Sequence, residues 1–516
     1  MTPSEKDIKF DRQLRLWGPI GQRLLEKSHI ALVGATPVGS ELLKDLILPN
    51  IGEFTIIDGG NVTEEDISAN FFVGSDSLGK PKAQEVKEFL NELNEDVSGN
   101  YINKDVKSLL NYPLSFWKNF NVVVTSGNDP SFSAQLSAIL FPLNIPLIVL
   151  ESMSFYAYML IVVKEHTIIE THPASLVDLR LNKPWPALLE FVDHYDLDVL
   201  DDVDLAHVPY IVILLKFLNS WKESHSGLPP TKRELKDFKA VILSFRKSSD
   251  HINFDEAIAA AGHLFSPSTI PDNLQTILND PKTNLDFNSS NFWILVSTLK
   301  EFIERPESGG CLPLTGVLPD MTADTEGFIR MQEIYREKAK TDIDFFTEIL
   351  HSKLTQLNRS IDSILPQEIE TFCKNSKNIK VIRGSSLEEI HKTPRIIGIE
   401  HEQFHVFLAI ETSKYFYERK RRHLGRADNV EEDIEVAKEI AKEVSKKYGI
   451  NDVYPDTHKV IEEIARAGSY ELHNLAALMG GIGSQEVVKL ITHQYSLLDN
   501  LVAFDGVMSK LQTWKL

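Results

Sequence analysis

Several short stretches of this 516-residue chain carry residue types that could do chemistry. The first is LVGATPVGSELL, residues 32–43, in which an apolar run, a turn and an apolar-periodic segment make the strand–turn–helix frame of a phosphate cradle. In a G-x-G-x-x-G turn the first glycine makes the bend, the second lets backbone approach the phosphates, and the third lets the helix pack. Gly34 and Gly39 fill the first and third places, but Thr36 occupies the second and Pro37 follows it. Asp58 ends the next apolar run, near the spacing expected of a ribose-binding carboxylate. The second stretch is FDRQLRLWG, where Arg12 and Arg15 offer rigid donor forks suited to phosphate, the competing reading being a surface salt bridge.

Three further signals are weaker. HEQFH, residues 401–405, has the H-E-x-x-H form of a zinc peptidase, with His401 and His405 as ligands and Glu402 as base, but it lacks a downstream extension. The plain expectation is a helix start with its polar side chains in solvent, and no metal site. Cys311 in GGCLPLTG is a nucleophile candidate without a nearby base, and Cys373 in IETFCKNS reads as the core residue of an amphipathic helix. The basic run ERKRRHLGR (418–426) and the acidic run DHYDLDVLDDVD (193–204) read as a solvated helix end and a solvated loop, with docking patches as the alternative.

The elements that position these residues follow from periodicity. SHIALVG, EFTIID, NVVVTSG and IPLIVLES read as parallel strands, YMLIVVKE as a further strand, and GKPKAQEVKEFLNEL as a helix between them. From about residue 171 the pattern turns helical. Asp428 and Glu431 suggest a capping box before VEEDIEVAKEIAKEVSKK, and Gly449 a stop after it. HNLAALMGGIGSQEVVKLI reads as a small-residue helix packed on a sheet, and LVAFDGV as a closing strand. The expected domains are residues 1–170, the first part of a Rossmann-like fold, 171–455, a helical insertion, and 456–516, the rest of the first fold. A net charge of −20 argues against nonspecific nucleic-acid binding. Two cysteines exclude a disulfide framework, and no apolar stretch reaches eighteen residues, so no membrane span is expected. Cytoplasm and nucleus are the expected compartments.

FDRQLRLWG, the altered glycine turn, FTIIDGGNVTEED and NFFVGSDSLGKPKAQEVKEFLNELNEDVSG together resemble the activating enzymes for ubiquitin and ubiquitin-like modifiers. KEHTIIETHP, DLRLNKPWP, CLPLTGVLPDM, IYREKAK and AALMGGIGSQEVVKLIT resemble, more closely, the regulatory-subunit branch of the neddylation-activating enzymes, and the likeness runs from Phe10 to the last strand. The resemblance implies an α/β, Rossmann-like, doubly wound adenylation fold of ThiF/MoeB type, catalytically degenerate, with a large mainly helical insertion. The active half of these enzymes carries Asn-Leu-Asn-Arg-Gln-Phe-Leu-Phe, whereas this chain has Asp66, Ile67, Ser68, Ala69 and Asn70 before Phe71 and Phe72, so Ala69 stands at the arginine place. Asn128 stands at the acidic magnesium place, while Lys82 and Asp58 remain.

What the resemblance implies is a chain that does not adenylate, with Gly34, Gly39, Asp58 and Lys82 as remnants of a nucleotide site. It implies ATP and Mg at a catalytic partner subunit and Arg12 reaching across to those phosphates. Tyr335, Arg336 and Lys338 would contact that partner, and the insertion, lacking the thioester cysteine, would wall the groove for the modifier of cullins. A conjugating enzyme would engage the complex; nucleic acid and membrane are not expected partners. The corresponding subunit for the SUMO-type modifier, a stand-alone adenylating enzyme with a degenerate loop, and the zinc peptidase are the competing readings; the long insertion argues against the first.

Overall fold

The computed structural model describes residues 8–265, 270–392, 403–426 and 429–516, which form two compact units. The first unit comprises residues up to Ile168 together with Val381–Leu516, and the second comprises Ile169–Lys380. The expected boundary at 170 falls beside the observed one. The expected boundary at 455 is corrected to 380, because the helical patterns after it belong to the first unit, where they cover one face of its sheet.

In the first unit the elements run α1 (Asp11–Glu26), β1 (His29–Val33), α2 (Pro37–Ile47), β2 (Glu53–Ile57), α3 (Glu64–Ala69), α4 (Lys82–Asn91), β3 (Ser98–Ile102), β4 (Val122–Thr125), α5 (Pro130–Leu140), β5 (Leu147–Met153) and β6 (Tyr156–Val162). After the second unit the chain returns with α6 (Phe404–Lys420), α7 (Val430–Lys447), α8 (Pro455–Arg466), α9 (His473–Thr492), β7 (Leu501–Asp505) and β8 (Lys510–Trp514). The sheet order is β8-β7-β6-β5-β4-β1-β2-β3. Strands β1 to β5 pair in parallel, and β6, β7 and β8 each pair antiparallel to the preceding strand in that end of the sheet. The order reverses between β1 and β4, where a doubly wound sheet opens a crevice at its carboxyl edge.

Strand alternation decides which helices cover which face. Ala31, Val33 and Val123 point to the core shared with α5, α6, α7 and α8, whereas Ile30, Leu32, Val122 and Val124 point to the core shared with α2, α4 and α9. Complete burial of a residue such as Leu42 or Leu46 contributes about 1.5–3 kcal/mol. The small residues of α9 let it press onto α2 as well as the sheet. A Cβ at Gly480 would come within 2.8 Å of the Leu42 backbone nitrogen, and one at Gly483 within 2.8 Å of a Leu42 methyl. The N-cap of α7 is Asn429, whose side chain accepts from the Glu432 N–H; Asp428, expected to cap it, lies outside the described residues. Gly449, at φ 73, follows the C-terminal end of α7 as expected.

The second unit is mainly helical and has its own core, built from Leu205, Ile211, Leu214, Phe238, Phe254, Met331 and Tyr335 among others. Its longest helix is Thr325–Gln356, N-capped by Asp324.

Candidate functional site

The crevice at the carboxyl edge of the parallel strands is a cleft of about 630 Å³. Each strand end contributes: Gly34 after β1, Asp58 after β2, Asp105 after β3, Ser126 to Asn128 after β4, and Glu151 to Met153 from β5. Gly34 has φ 98, and a Cβ on it would fall 2.0 Å from the Ser126 carbonyl oxygen, so the bend requires glycine. A Cβ at Gly39 would lie 2.7 Å from a Leu32 methyl, so this place serves helix–strand packing. Thr36, in the remaining glycine place, caps α2: its Oγ1 accepts from the Gly39 N–H at 3.2 Å and donates to Ser126 Oγ at 2.7 Å.

A helix start of this kind attracts anions because its first N–H groups point outward unsatisfied. Here the chain fills that position itself. Ala35 N–H donates to Asp58 Oδ2 at 2.9 Å, Val38 N–H donates to Glu471 Oε2 at 3.1 Å, and Pro37 has no N–H to offer. Asp58 also accepts from the Gly60 N–H at 2.7 Å, so both of its oxygens hold backbone turns. Lys82 pairs with Asp66 at 2.8 Å, and Asp66 completes the capping box of α3 with Thr63. Asn128 donates to Val33 O, Thr125 Oγ1 and Ser126 O at 2.8–3.0 Å, a neutral amide tying the turn together. Ala69 lines the cleft and adds no charge.

The distant half of the cleft comes from residues that the sequence did not connect with it. Glu471, Tyr470 and Ser469 arrive just before α9, and His423 and Arg426 after α6. Burial pushes the Glu471 carboxyl up to about 8, with the nearby Glu151 and Asp66 adding to the effect against the Val38 N–H and Lys82. His423 is pushed down to about 4, by burial first and then by the Arg426 and Lys82 cations, so its ring is neutral. Arg426 pairs with Glu65 at 2.6 Å, donates to Gly468 O and stacks 4.3 Å over the Tyr470 ring. Behind the strand, Glu151 accepts from the Gly127 N–H and pairs with Lys414 at 2.9 Å, while Lys414 also contacts Glu411 at 3.2 Å and the Tyr158 hydroxyl at 2.9 Å. The cleft is therefore rich in acidic side chains, and among the described residues its lining cations, Lys82 and Arg426, are already paired.

The other candidates lie elsewhere. In the basic run, Arg419 pairs with Glu443, Arg422 with Asp433 and Arg426 with Glu65, so three of its arginines hold the fold. Arg12 is exposed on the first turn of α1 with no ion-pair partner among the described residues, whereas Arg15 pairs with Asp11 at 2.9 Å. The expected contact set Tyr335, Arg336 and Lys338 needs correction. Tyr335 is 0% exposed, donates to Leu179 O at 2.7 Å and packs edge-on against Trp185, because it shares the buried face of its helix with Met331 and Ala339. Lys338 pairs with the buried Asp342 at 2.7 Å, leaving Arg336 as the exposed member.

Cys311 and Cys373 are buried, and burial pushes the Cys373 thiol well up, away from the reactive thiolate. His401 and Glu402 of the HEQFH stretch lie outside the described residues. The expected solvent-facing helix start is corrected in part: Gln403 is buried and His405 partly so, because this end of α6 packs into the core with Phe404. Among the described residues no three His, Cys, Asp or Glu side chains come together to hold a metal.

The ThiF family profile matches residues 10–516. The chain is 37% identical to the NEDD8-activating enzyme E1 regulatory subunit of Gallus gallus over 531 residues, covering 99% of each. It is 37% identical to the NEDD8-activating enzyme E1 regulatory subunit AXR1 of Arabidopsis thaliana, covering 100% of this chain and 97% of that protein. Its identity to the NEDD8-activating enzyme E1 regulatory subunit of Saccharomyces cerevisiae is 27%, over 98% of this chain and all of that one. With the doubly wound sheet, the glycine turn and end-to-end similarity at this level, the chain belongs to the ThiF family and, within it, to the NEDD8-activating enzyme E1 regulatory subunits.

Proposed function

We propose that this chain is the regulatory, non-catalytic subunit of a heterodimeric activating enzyme for the ubiquitin-like modifier of cullins, and that it does not adenylate on its own. The observation that supports the second half most directly is the start of α2, where Asp58, Thr36 and Glu471 take the N–H groups that would otherwise face a phosphate. A nucleotide polyphosphate entering this cleft meets carboxylates and paired cations, the reverse of the field that stabilises phosphoryl charge. The partner subunit then supplies the working site, where ATP and Mg act on the modifier's carboxyl terminus, and the cysteine that carries the thioester before transfer to a conjugating enzyme. Arg12, exposed and without an ion-pair partner among the described residues, supplies positive charge in trans to the partner's ATP phosphates. Cytoplasm and nucleus are the compartments proposed for this work.

Calorimetric titration of Mg-ATP into the isolated chain tests the reading. Binding weaker than about 1 mM is expected. Saturable micromolar binding that is lost on Asp58→Ala would show a working nucleotide site and overturn it.

A further inference from the structure

The helix that carries Arg12 is made of two pieces. Gly18, at φ 65 and ψ 176, breaks α1, and Pro19 opens the second piece. A break of this kind leaves the carbonyls at the end of the first piece without helical donors. The Trp17 carbonyl finds one outside the helix: Gln494 Nε2 donates to it at 2.8 Å. Gln494 is 2% exposed and follows His493, the left-handed C-cap of α9, so its backbone is tied to the longest helix of the first unit.

The surroundings of this clamp are tight. A Cβ at Gly21 would lie 2.9 Å from the Trp17 Cβ and 3.3 Å from Gln494 Nε2, so glycine there lets the two pieces close. Trp17 Nε1 donates to Gln22 Oε1 at 3.0 Å, which fixes the ring as well as the carbonyl. At the far end of the arm Phe10 is buried, and Lys9 pairs with Asp96 at 2.8 Å. Between these anchors Asp11 draws Arg15 to itself, and Arg12 is exposed with no ion-pair partner among the described residues. An arm held at one end only would pivot at Gly18, where glycine opposes rotation least.

We propose that Gln494 is a positioning residue: by holding the Trp17 carbonyl it fixes the direction in which Arg12 leaves the fold and meets the partner's phosphates. This rests on the in-trans role of Arg12 proposed above. Gln494 touches neither nucleotide nor modifier and acts through the arm alone. Misplacing a charged group by about 1 Å lowers rate by up to ~100-fold while leaving ground-state binding in place.

The test uses the full chain reconstituted with its catalytic subunit and follows modifier-dependent ATP–pyrophosphate exchange for wild type, Gln494→Leu, Arg12→Ala and the double variant. Gln494→Leu is expected to lower kcat by about 10- to 100-fold at unchanged KM for the modifier, with unchanged subunit affinity. In the Arg12→Ala background the same change should have no further effect, since both act through one group. Gly18→Ala, which meets nothing within 4 Å and strains only the kink, should repeat this pattern and decides the matter if Gln494→Leu does not fold. An effect of Arg12→Ala without one of Gln494→Leu, or additive effects of the two, would overturn the positioning role and leave the in-trans reading standing. Unchanged exchange in Arg12→Ala would overturn both.

Discussion

Replacing Glu471 with Gln separates the charge of the cleft from its shape. The wild-type carboxyl, ordinarily near 4.5, is held at about 8 by burial and by neighbouring Glu151 and Asp66. Between those values the folded chain keeps a proton that the unfolded chain has released. The unfolded state binds fewer protons, and stability falls as pH rises from about 4.5 to 8 and levels off above. At ~1.4 kcal/mol per pH unit, the window corresponds to about 3–5 kcal/mol lost by the alkaline side. Glutamine keeps an oxygen to accept from Val38 N–H and cannot ionise, so Glu471→Gln removes the slope and leaves the cap. Thermal unfolding of full-length wild type and variant, followed by circular dichroism at about pH 5 and pH 9, should give nearly equal midpoints at the acid end and a variant midpoint roughly 3–8 °C higher at the alkaline end. Parallel curves across the range would refute the reasoning, because they would mean that Glu471 is ionised in the fold like any exposed carboxyl.

Lys414→Met leaves the buried carboxylates Glu151 and Glu411 without their cation and should cost about 3–5 kcal/mol in denaturant unfolding, with part regained on adding Glu151→Gln. Tyr335→Phe removes the bond to Leu179 O and should cost about 1–3 kcal/mol of stability, with no change in the affinity of the chain for its catalytic subunit. A weakened complex at unchanged stability would return Tyr335 to an interface. Arg12→Ala in the reconstituted enzyme should lower exchange by about 10²–10³, the scale of removing one donor from a developing anionic charge, and leave the melting of the isolated chain unchanged.

The parallel strands were legible because each is a short β-branched run between turn signals, and the expected helix at GKPKAQEVKEFLNEL is found as Lys82–Asn91. Strand β3 was not, since Ser98, Gly99 and Asn100 lack apolar alternation; as an edge strand it pairs with β2 alone and is largely uncovered. The second domain boundary was missed for a related reason: helical periodicity in α6 and α7 does not say which unit receives their apolar faces. At the cleft, the altered turn and Ala69 could be read locally. Glu471 could not, because its contact with Val38 joins residues separated by 433 positions and depends on how α9 enters the sheet. Tyr335 shows the opposite failure. A motif shared with a family marked it as a surface contact, while its helix phase, with Met331 and Ala339 one turn to either side, marked it as core.

The most direct measurement is modifier-dependent ATP–pyrophosphate exchange by this chain alone, by the catalytic subunit alone and by the two together. Exchange in the mixture, with none from this chain by itself, is the expected result. Exchange by the isolated chain would contradict it and would mean that Thr36, Ala69 and the buried Glu471 carboxyl do not close the site.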